Sequence, residues 1–321
     1  MAKFKVLMAD SIFINQDIEK EILKEIDAEL VLSPRKDEAT LAELAKDCDA
    51  IITSYAEISK HIIDSCEQCK VIIRTGIGYN NIDVEAATAK QIMVANVLNY
   101  CVEEVADHAM ALILACLRKV VFFNQCVHNG TWDVNLGRPI SRVSTLTLGL
   151  FGFGNIARQL AKRAKGFDLN IIAYDPFLPD EVFEKNGVTR FTDQDEFIKA
   201  CDILSLHLQL NKSTQGMIDK NAFQIMKPSS YLINVSRGGL VNEFDLLDAI
   251  KNHKIAGCAL DVMETEPGDL HSSLMTYDNV IVTPHAAFYS DGSDVELRQK
   301  TAEQIVQTFT QGYPEFWLNK K

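Results

Sequence analysis

Three side chains fit for proton and charge chemistry stand in the second half of the chain, each shortly after an apolar run of strand character. Arg237 follows Asn234-Val-Ser236 and precedes Gly238-Gly239, Glu266 precedes Pro267, and His285 follows Thr283-Pro284. In open parallel sheets ligands bind beyond the carboxyl ends of the strands, so residues at those ends are placed to react. An arginine fork can hold a carboxylate with two hydrogen bonds and polarise the carbonyl beside it. An imidazole can give a proton to that carbonyl oxygen as a hydride reaches its carbon. A carboxylate close to the imidazole favours the charged form that this step consumes. Taken singly, each residue has a plainer reading: Arg237 as the cap of a turn, Glu266 as a solvated loop acid, His285 as a satisfied histidine at a domain boundary. Their joint placement beside a dinucleotide motif favours chemistry.

That motif lies in Thr145 to Pro176, around which the chain is organised. A short apolar run, Leu146 to Phe151, leads into Gly152, Gly154 and Ala157 in the pattern Gly-x-Gly-x-x-Ala. A helical pattern and a second β-rich run, Asn170 to Tyr174, then end at Asp175. The first glycine permits a tight turn, the second lets a pyrophosphate approach the backbone, and the third small residue lets helix and strand pack closely. The helix start, with Asn155 and Ile156, offers N–H groups and positive dipole to the phosphates. Asp175 follows Ala157 at close to the spacing of about 20 residues at which an acid holds the ribose hydroxyls. A carboxylate there favours NAD over NADP, and neither Arg nor Lys immediately follows it. Candidate cofactor contacts at later strand ends are His207, Val235, Ser236, Asp261 and Ala287. His207, inside an apolar run, also reads as a core histidine.

Strand runs alternating with amphipathic helical patterns predict an α/β chain with two doubly wound parallel sheets. The first third carries strand runs at Phe4 to Met8, Glu29 to Leu32, Ala50 to Thr53, Val71 to Arg74 and Ile92 to Val97. A long helical pattern, Val102 to about Asn129, follows. The second sheet spans Leu146 to Thr283, and a last helix from Asp294 to about Phe309 is expected to return to the first domain. In that first domain, Tyr55, Arg74, the loop Gly76-Ile77-Gly78, and Tyr100 are candidates for the substrate side, with Phe288 from the other end of the chain. The glycine loop can offer N–H groups to a carboxylate.

At 321 residues the length suits about two domains. A net charge of −12 argues against nucleic acid or an anionic membrane as partner. No apolar run is long enough to span a bilayer, and a cytoplasmic location is expected. The eight cysteines read as reduced small hydrophobes. Cys66 and Cys69 form a Cys-x-x-Cys, but the second pair that a zinc site wants is missing, and no metal is expected. A redox pair is the alternative; the favoured reading is a helix end running into the strand at Lys70.

The chain resembles the D-isomer-specific 2-hydroxyacid dehydrogenase family over almost its whole length. The carriers are Arg74-Thr-Gly-Ile-Gly-Tyr-Asn-Asn-Ile-Asp83, Val102-Glu-Glu-Val-Ala-Asp-His108, Gly149-Leu-Phe-Gly-Phe-Gly-Asn-Ile156, Ile233-Asn-Val-Ser-Arg-Gly-Gly-Leu-Val241 and Thr283-Pro-His-Ala-Ala287. The resemblance implies a flavodoxin-like substrate domain from residues 1–100 plus 288–321, with a Rossmann domain, 101–287, inserted. It implies a catalytic set of Arg237, Glu266 and His285, NAD as cofactor, and a homodimer formed through the helix after Val102. Ala157 departs from the family's third glycine, and Leu98 and Asn99 stand where many members read proline and glycine. Two neighbours within the resemblance differ in function. Phosphoglycerate dehydrogenases need extra cations for a phosphate, whereas here the loop Thr53 to Ser59 carries Glu57 and no arginine. The C-terminal-binding corepressors, which Pro284 to Ser290 resembles, act mainly as NAD-sensing binding proteins. Tyr55, Leu98, Tyr100 and Phe288 favour a 2-keto acid with an aliphatic or aromatic side chain.

Overall fold

The computed structural model describes residues 2–320. In chain order the first elements are β1 (Phe4–Met8), α1 (Asp17–Leu23), β2 (Ala28–Leu32), α2 (Glu38–Ala45), β3 (Ala50–Thr53), α3 (Lys60–Ser65), β4 (Val71–Arg74), α4 (Val84–Ala89) and β5 (Met93–Ala95). Then come α5 (Val102–Arg118), α6 (Val120–His128), β6 (Thr147–Phe151), α7 (Asn155–Lys165), β7 (Asn170–Tyr174), α8 (Asp180–Lys185), β8 (Thr189–Phe191), α9 (Gln194–Ala200) and β9 (Ile203–Leu206). The last are α10 (Lys220–Ile225), β10 (Tyr231–Asn234), α11 (Glu243–Lys251), β11 (Gly257–Leu260), β12 (Val280–Val282) and α12 (Asp291–Gln311). Two compact units share them, Met1–Cys101 with Ser290–Lys321, and Val102–Tyr289. Their divisions fall one and two residues beyond those read from the sequence, so Phe288 lies in the second unit.

In the first unit five parallel strands run in the order β2-β1-β3-β4-β5. Both sheet faces are covered, so β3 and β4 are β-branched on both sides. Ile51 and Ile72 point into one apolar cluster with Leu41, Ile62 and Ala87, while Ile52 and Ile73 point into the other with Leu23, Ala302 and Ile305. Polar side chains start the helices by taking orphan N–H groups: Asp37 for α2, Ser59 for α3, Asp83 for α4. A Ser290–Ser293 capping box starts α12, which packs on α1 and β4. Arg298 of α12 forks onto Glu19 of α1 at 2.8 and 2.7 Å, and its guanidinium lies over the Phe13 ring. Glu19 is 1% exposed. Removing one partner of such a buried pair strands the other charge, at about 3–5 kcal/mol.

The second unit is a seven-stranded parallel sheet ordered β12-β11-β10-β9-β6-β7-β8. The order reverses between β6 and β9, the switch point where ligands bind in doubly wound sheets. α8 and β8 are not expected from the sequence pattern, and the helix expected from Val102 to about Asn129 is two helices. Lys119 takes φ 52°, ends α5, and starts α6 at a bend of 61°. The physical reason is burial: α5 sinks Leu112, Ile113, Cys116 and Leu117 into the unit, whereas α6 buries nothing. Among the described residues no single helix is long and apolar enough to cross a membrane; α5 and α6 together pass by length and composition only, and they are bent.

Candidate functional site

The loops after β10, β11 and β12 bring the three chemistry-bearing side chains into one cluster. His285 Nδ1 lies 2.6 Å from Glu266 Oε2. The other Glu266 oxygen accepts the Met263 N–H at 3.3 Å. Burial would raise the Glu266 carboxyl, but the hydrogen bond and charge of His285, the Met263 N–H and the Arg237 charge outweigh it and hold Glu266 below its usual value. Glu266 is therefore an anion near neutrality, and its side of the pairing is lost as acid protonates it. Arg237 is anchored by its own loop, donating to Ser236 O at 2.6 Å while Asn234 Nδ2 donates to Arg237 O at 2.9 Å. Gly238 seats this loop on the next one. A Cβ there would fall 1.9 Å from Met263 C and O, so only glycine lets the Arg237 and Glu266 loops touch.

His285 stands on a strained backbone, with φ 53°. Asp261 holds it there. This acid is 1% exposed, and its oxygens accept the Thr283 hydroxyl at 2.6 Å and the Ala286 and Ala287 N–H groups at 2.9 Å each. His108 on α5 completes the group, with Nε2 3.0 Å from Thr283 Oγ1 and 3.5 Å from Asp261 Oδ1. Phe288 sits edge-on to the His285 ring at 6.1 Å between centroids. Asp261, a candidate cofactor contact by its place at a strand end, also braces the histidine loop. His108 is a functional candidate that the sequence patterns do not single out; its signal is a polar residue within the long, largely buried helix α5.

At the switch point the two motif glycines differ. Gly152 has φ +84°, and a Cβ would meet His207 O at 2.6 Å; Gly154 has nothing within 4 Å of a Cβ. The space over Gly154 is open, and the start of α7, including Asn155 and Ile156, has no side-chain cap. A phosphate group fits such a helix start, which leaves N–H groups unsatisfied. Asp175 is fixed at the turn by accepting Phe153 N–H on one oxygen and Phe177 N–H on the other, both at 3.0 Å. Each oxygen keeps acceptor capacity for a ribose hydroxyl. His207 Nε2 lies 2.9 Å from Ser205 Oγ. Burial of its ring pushes its pKa down to about 3, so it is a neutral histidine of the strand end. Val235 and Ala287 are buried, and Ser236 donates to Leu206 O at 2.7 Å.

The first unit gathers Tyr55, Arg74 and Tyr100 at its carboxyl edge. The Arg74 guanidinium lies 5.9 Å from the centre of the Tyr55 ring and donates to Thr75 O at 2.9 Å. It passes directly over Gly76, where a Cβ would lie 1.5 Å from Nη1. Gly76 O accepts Val97 N–H at 3.0 Å and Ile77 O accepts Asn96 Nδ2 at 2.6 Å, so the Gly76–Gly78 loop is tied to the strand beside it. Tyr55 is 49% exposed but Tyr100 only 7%, and burial, ahead of neighbouring Cys101, pushes the Tyr100 phenol up. Asp10, outside the candidate set, fixes the Tyr55 loop. Its buried carboxylate accepts Ser54, Tyr55 and Ala56 N–H groups at 2.7, 2.9 and 3.1 Å. Among the described residues no group of three His, Cys, Asp or Glu is arranged to hold a metal ion.

Residues 110–287 match the family model described as D-isomer specific 2-hydroxyacid dehydrogenase, NAD binding domain. A D-3-phosphoglycerate dehydrogenase of Methanocaldococcus jannaschii is 38% identical over 94% of this chain and 56% of its own length. The chain thus spans little more than half of that relative. A glyoxylate reductase of Korarchaeum cryptofilum is 32% identical over 93% of this chain and 92% of its own. Among solved structures, the D-lactate dehydrogenase of Aquifex aeolicus complexed with NAD and lactic acid superposes with a TM-score of 0.85 at 26% identity, covering 96% of each chain.

The two glycines make a paired test of the dinucleotide assignment. Gly154→Ala is expected to leave the melting temperature unchanged and to weaken NADH binding at least tenfold, read by fluorescence titration. Gly152→Ala is expected to lower the melting temperature, since it meets both a positive φ and a backbone oxygen. Unimpaired NADH binding by Gly154→Ala would remove this turn from the cofactor site.

Proposed function

We propose that this chain, which belongs to the D-isomer specific 2-hydroxyacid dehydrogenase family, is an NAD-dependent oxidoreductase that reduces a 2-keto acid to its D-2-hydroxy acid and runs the reverse reaction. The observation that carries this is the 2.6 Å pairing of His285 with Glu266 in a cluster that includes Arg237. The nicotinamide, when bound, supplies or accepts the hydride. Arg237 holds the substrate carboxylate and draws charge from the ketone oxygen. His285 delivers the proton from Nε2, because Nδ1 faces Glu266. Glu266 fixes the ring direction and balances its charge. In the oxidation direction His285 takes the proton back. Gly152, Gly154, Asn155, Ile156 and Asp175 hold the dinucleotide, and Asp175 favours NAD through the free ribose hydroxyl.

The substrate proposed is a 2-keto acid with an aliphatic or aromatic side chain. Tyr55 offers an exposed aromatic face, the loop after β3 carries an exposed Glu57 and no arginine, and Phe288 sits beside His285. The N–H groups of Gly76 to Gly78 are proposed to bind the substrate carboxylate. A second reading, a phosphorylated substrate as in the phosphoglycerate dehydrogenase relative, is favoured by the Arg74 guanidinium held at the same edge. NADH oxidation with pyruvate, 2-ketoisocaproate, phenylpyruvate, glyoxylate, hydroxypyruvate and 3-phosphohydroxypyruvate separates them. A branched or aromatic keto acid is expected to give the highest kcat/KM; a preference for the phosphorylated compound would establish the second reading. NADH binding without turnover on any would favour a sensing role of the corepressor kind. His285→Ala is expected to lower kcat by about 10²–10⁴ with NADH affinity retained, and unchanged turnover would remove His285 from the mechanism.

A homodimer through the segment after Val102 is part of the proposal. Val120, Val127, Trp132, Val134 and Leu136 are exposed there, Trp132 at 89%. Leu136 also lines a cleft of about 220 Å³ with Val121, Phe122 and Ile281 and with the polar Lys119 and Asp278. Exposed apolar patches of this kind mark association surfaces. Light scattering is expected to give twice the chain mass of 35.9 kDa, reduced to one chain by Val121→Glu with Trp132→Glu; a monomeric wild type would refute the assembly. Eight free cysteines, together with the helices described above, support a reducing, cytoplasmic location.

A further inference from the structure

Three of the eight cysteines meet in one corner of the first unit. Cys48 follows α2, Cys66 follows α3, and Cys69 stands just before β4. Hydrogen bonds lay the link between α3 and β4 across the end of α2. Ser65 Oγ donates to Ala42 O at 2.9 Å, Glu67 N to Lys46 O at 3.2 Å, Gln68 Nε2 to Asp47 O at 3.1 Å and Lys70 N to Asp49 O at 2.8 Å. All three thiols are free and lie in one buried cluster, Cys48 donating to Ala45 O at 3.3 Å, Cys66 to Ile62 O at 3.4 Å and Cys69 to Val71 O at 3.5 Å. The Lys90 ammonium closes the corner, donating to the carbonyls of Ile63, Asp64 and Cys66 at 3.2, 2.8 and 2.7 Å.

A thiol clustered with other thiols and near an ammonium is placed to lose its proton. Cys48, Cys69 and, less strongly, Lys90 bring Cys66 down to about 4 against the effect of burial, while Cys48 and Cys69 move up. Of the three, Cys66 is thus the one favoured as thiolate. By contrast, Cys116, Cys201 and Cys258 are pushed up chiefly by burial. Cys66 and Cys69 lie outside helix and strand and keep slight exposure, 4% and 8%, whereas Cys48 has none.

We propose that Cys66 and Cys69 form a reversible dithiol site whose co-reactant is a small hydroperoxide. The Cys66 sulfur attacks one peroxide oxygen. The O–O bond breaks, an alcohol or water leaves with a proton, and Cys66 becomes a sulfenic acid. The Cys69 sulfur then attacks the Cys66 sulfur; an S–S bond forms, the S–O bond breaks, and water leaves. Two thiols and one hydroperoxide give one disulfide, one alcohol or water, and one further water. An external dithiol returns the two electrons by exchange.

Both residues fall in the tryptic fragment 61–70, which makes the test direct. The intact protein is treated with hydrogen peroxide, alkylated with iodoacetamide, digested and weighed. The fragment is expected to be unalkylated and two hydrogens lighter than the dithiol form, and to be restored by dithiothreitol. Cys69→Ser is expected to stop at a sulfenic acid on Cys66 that dimedone traps, with the circular dichroism spectrum unchanged. Alkylation at both cysteines after peroxide, a disulfide from Cys66 to Cys48 instead, or earlier oxidation of another cysteine would each overturn the assignment.

Discussion

A buried carboxylate that has lost its water must be met by donors of the protein, and Asp261 is met by the loop that carries His285. The cost of burying its charge is offset only while the Thr283 hydroxyl and the Ala286 and Ala287 N–H groups stay aimed at it. That requirement sustains a backbone conformation at His285 which a side chain rarely adopts, and so fixes the direction of the imidazole toward Glu266. The first unit uses the same device. Asp10, at the end of β1, gathers three N–H groups of the loop after β3 and so presents Tyr55. In both units an acid at one strand end governs the loop of another strand, which couples neighbouring loops without any covalent link.

These devices explain which parts of the site could be read beforehand. Arg237, Glu266 and His285 stood out because their side chains are unusual at the ends of apolar runs, and the structure brings the three together. Asp10 and His108 did not. An acid after β1 and a histidine within a helix look like surface residues until the partners are known, and those partners lie far along the chain, in the loop after β3 and at Thr283. Tyr100 shows the opposite difficulty. Its ring suggested a pocket wall, but aromatic character does not distinguish a wall from a core, and the ring is almost wholly buried.

The fold itself was legible where burial on both faces forces β-branched runs. β1, β3, β4 and β7 match their sequence patterns residue for residue. β8 spans three residues and α8 six, too short for a periodicity to register. The bend at Lys119 carries neither glycine nor proline. It follows from where the interior ends, since α5 is sunk in its unit and α6 is not, and a local pattern does not hold that information.

The first unit takes its last helix from residues that follow the whole of the second. Synthesis therefore delivers β1 to β5 and α1 early, and delivers α12 only after the entire nucleotide-binding unit has been made. Until then Glu19 lacks Arg298, and the sheet face of Val6, Ile52 and Ile73 lacks Ala302 and Ile305. The second unit closes from contiguous chain and can consolidate first, whereas the first remains an open sheet with a stranded charge. A nascent chain halted before residue 290 thus holds a complete second unit and an incomplete first one, and the segment that carries α12 governs when the first unit is finished.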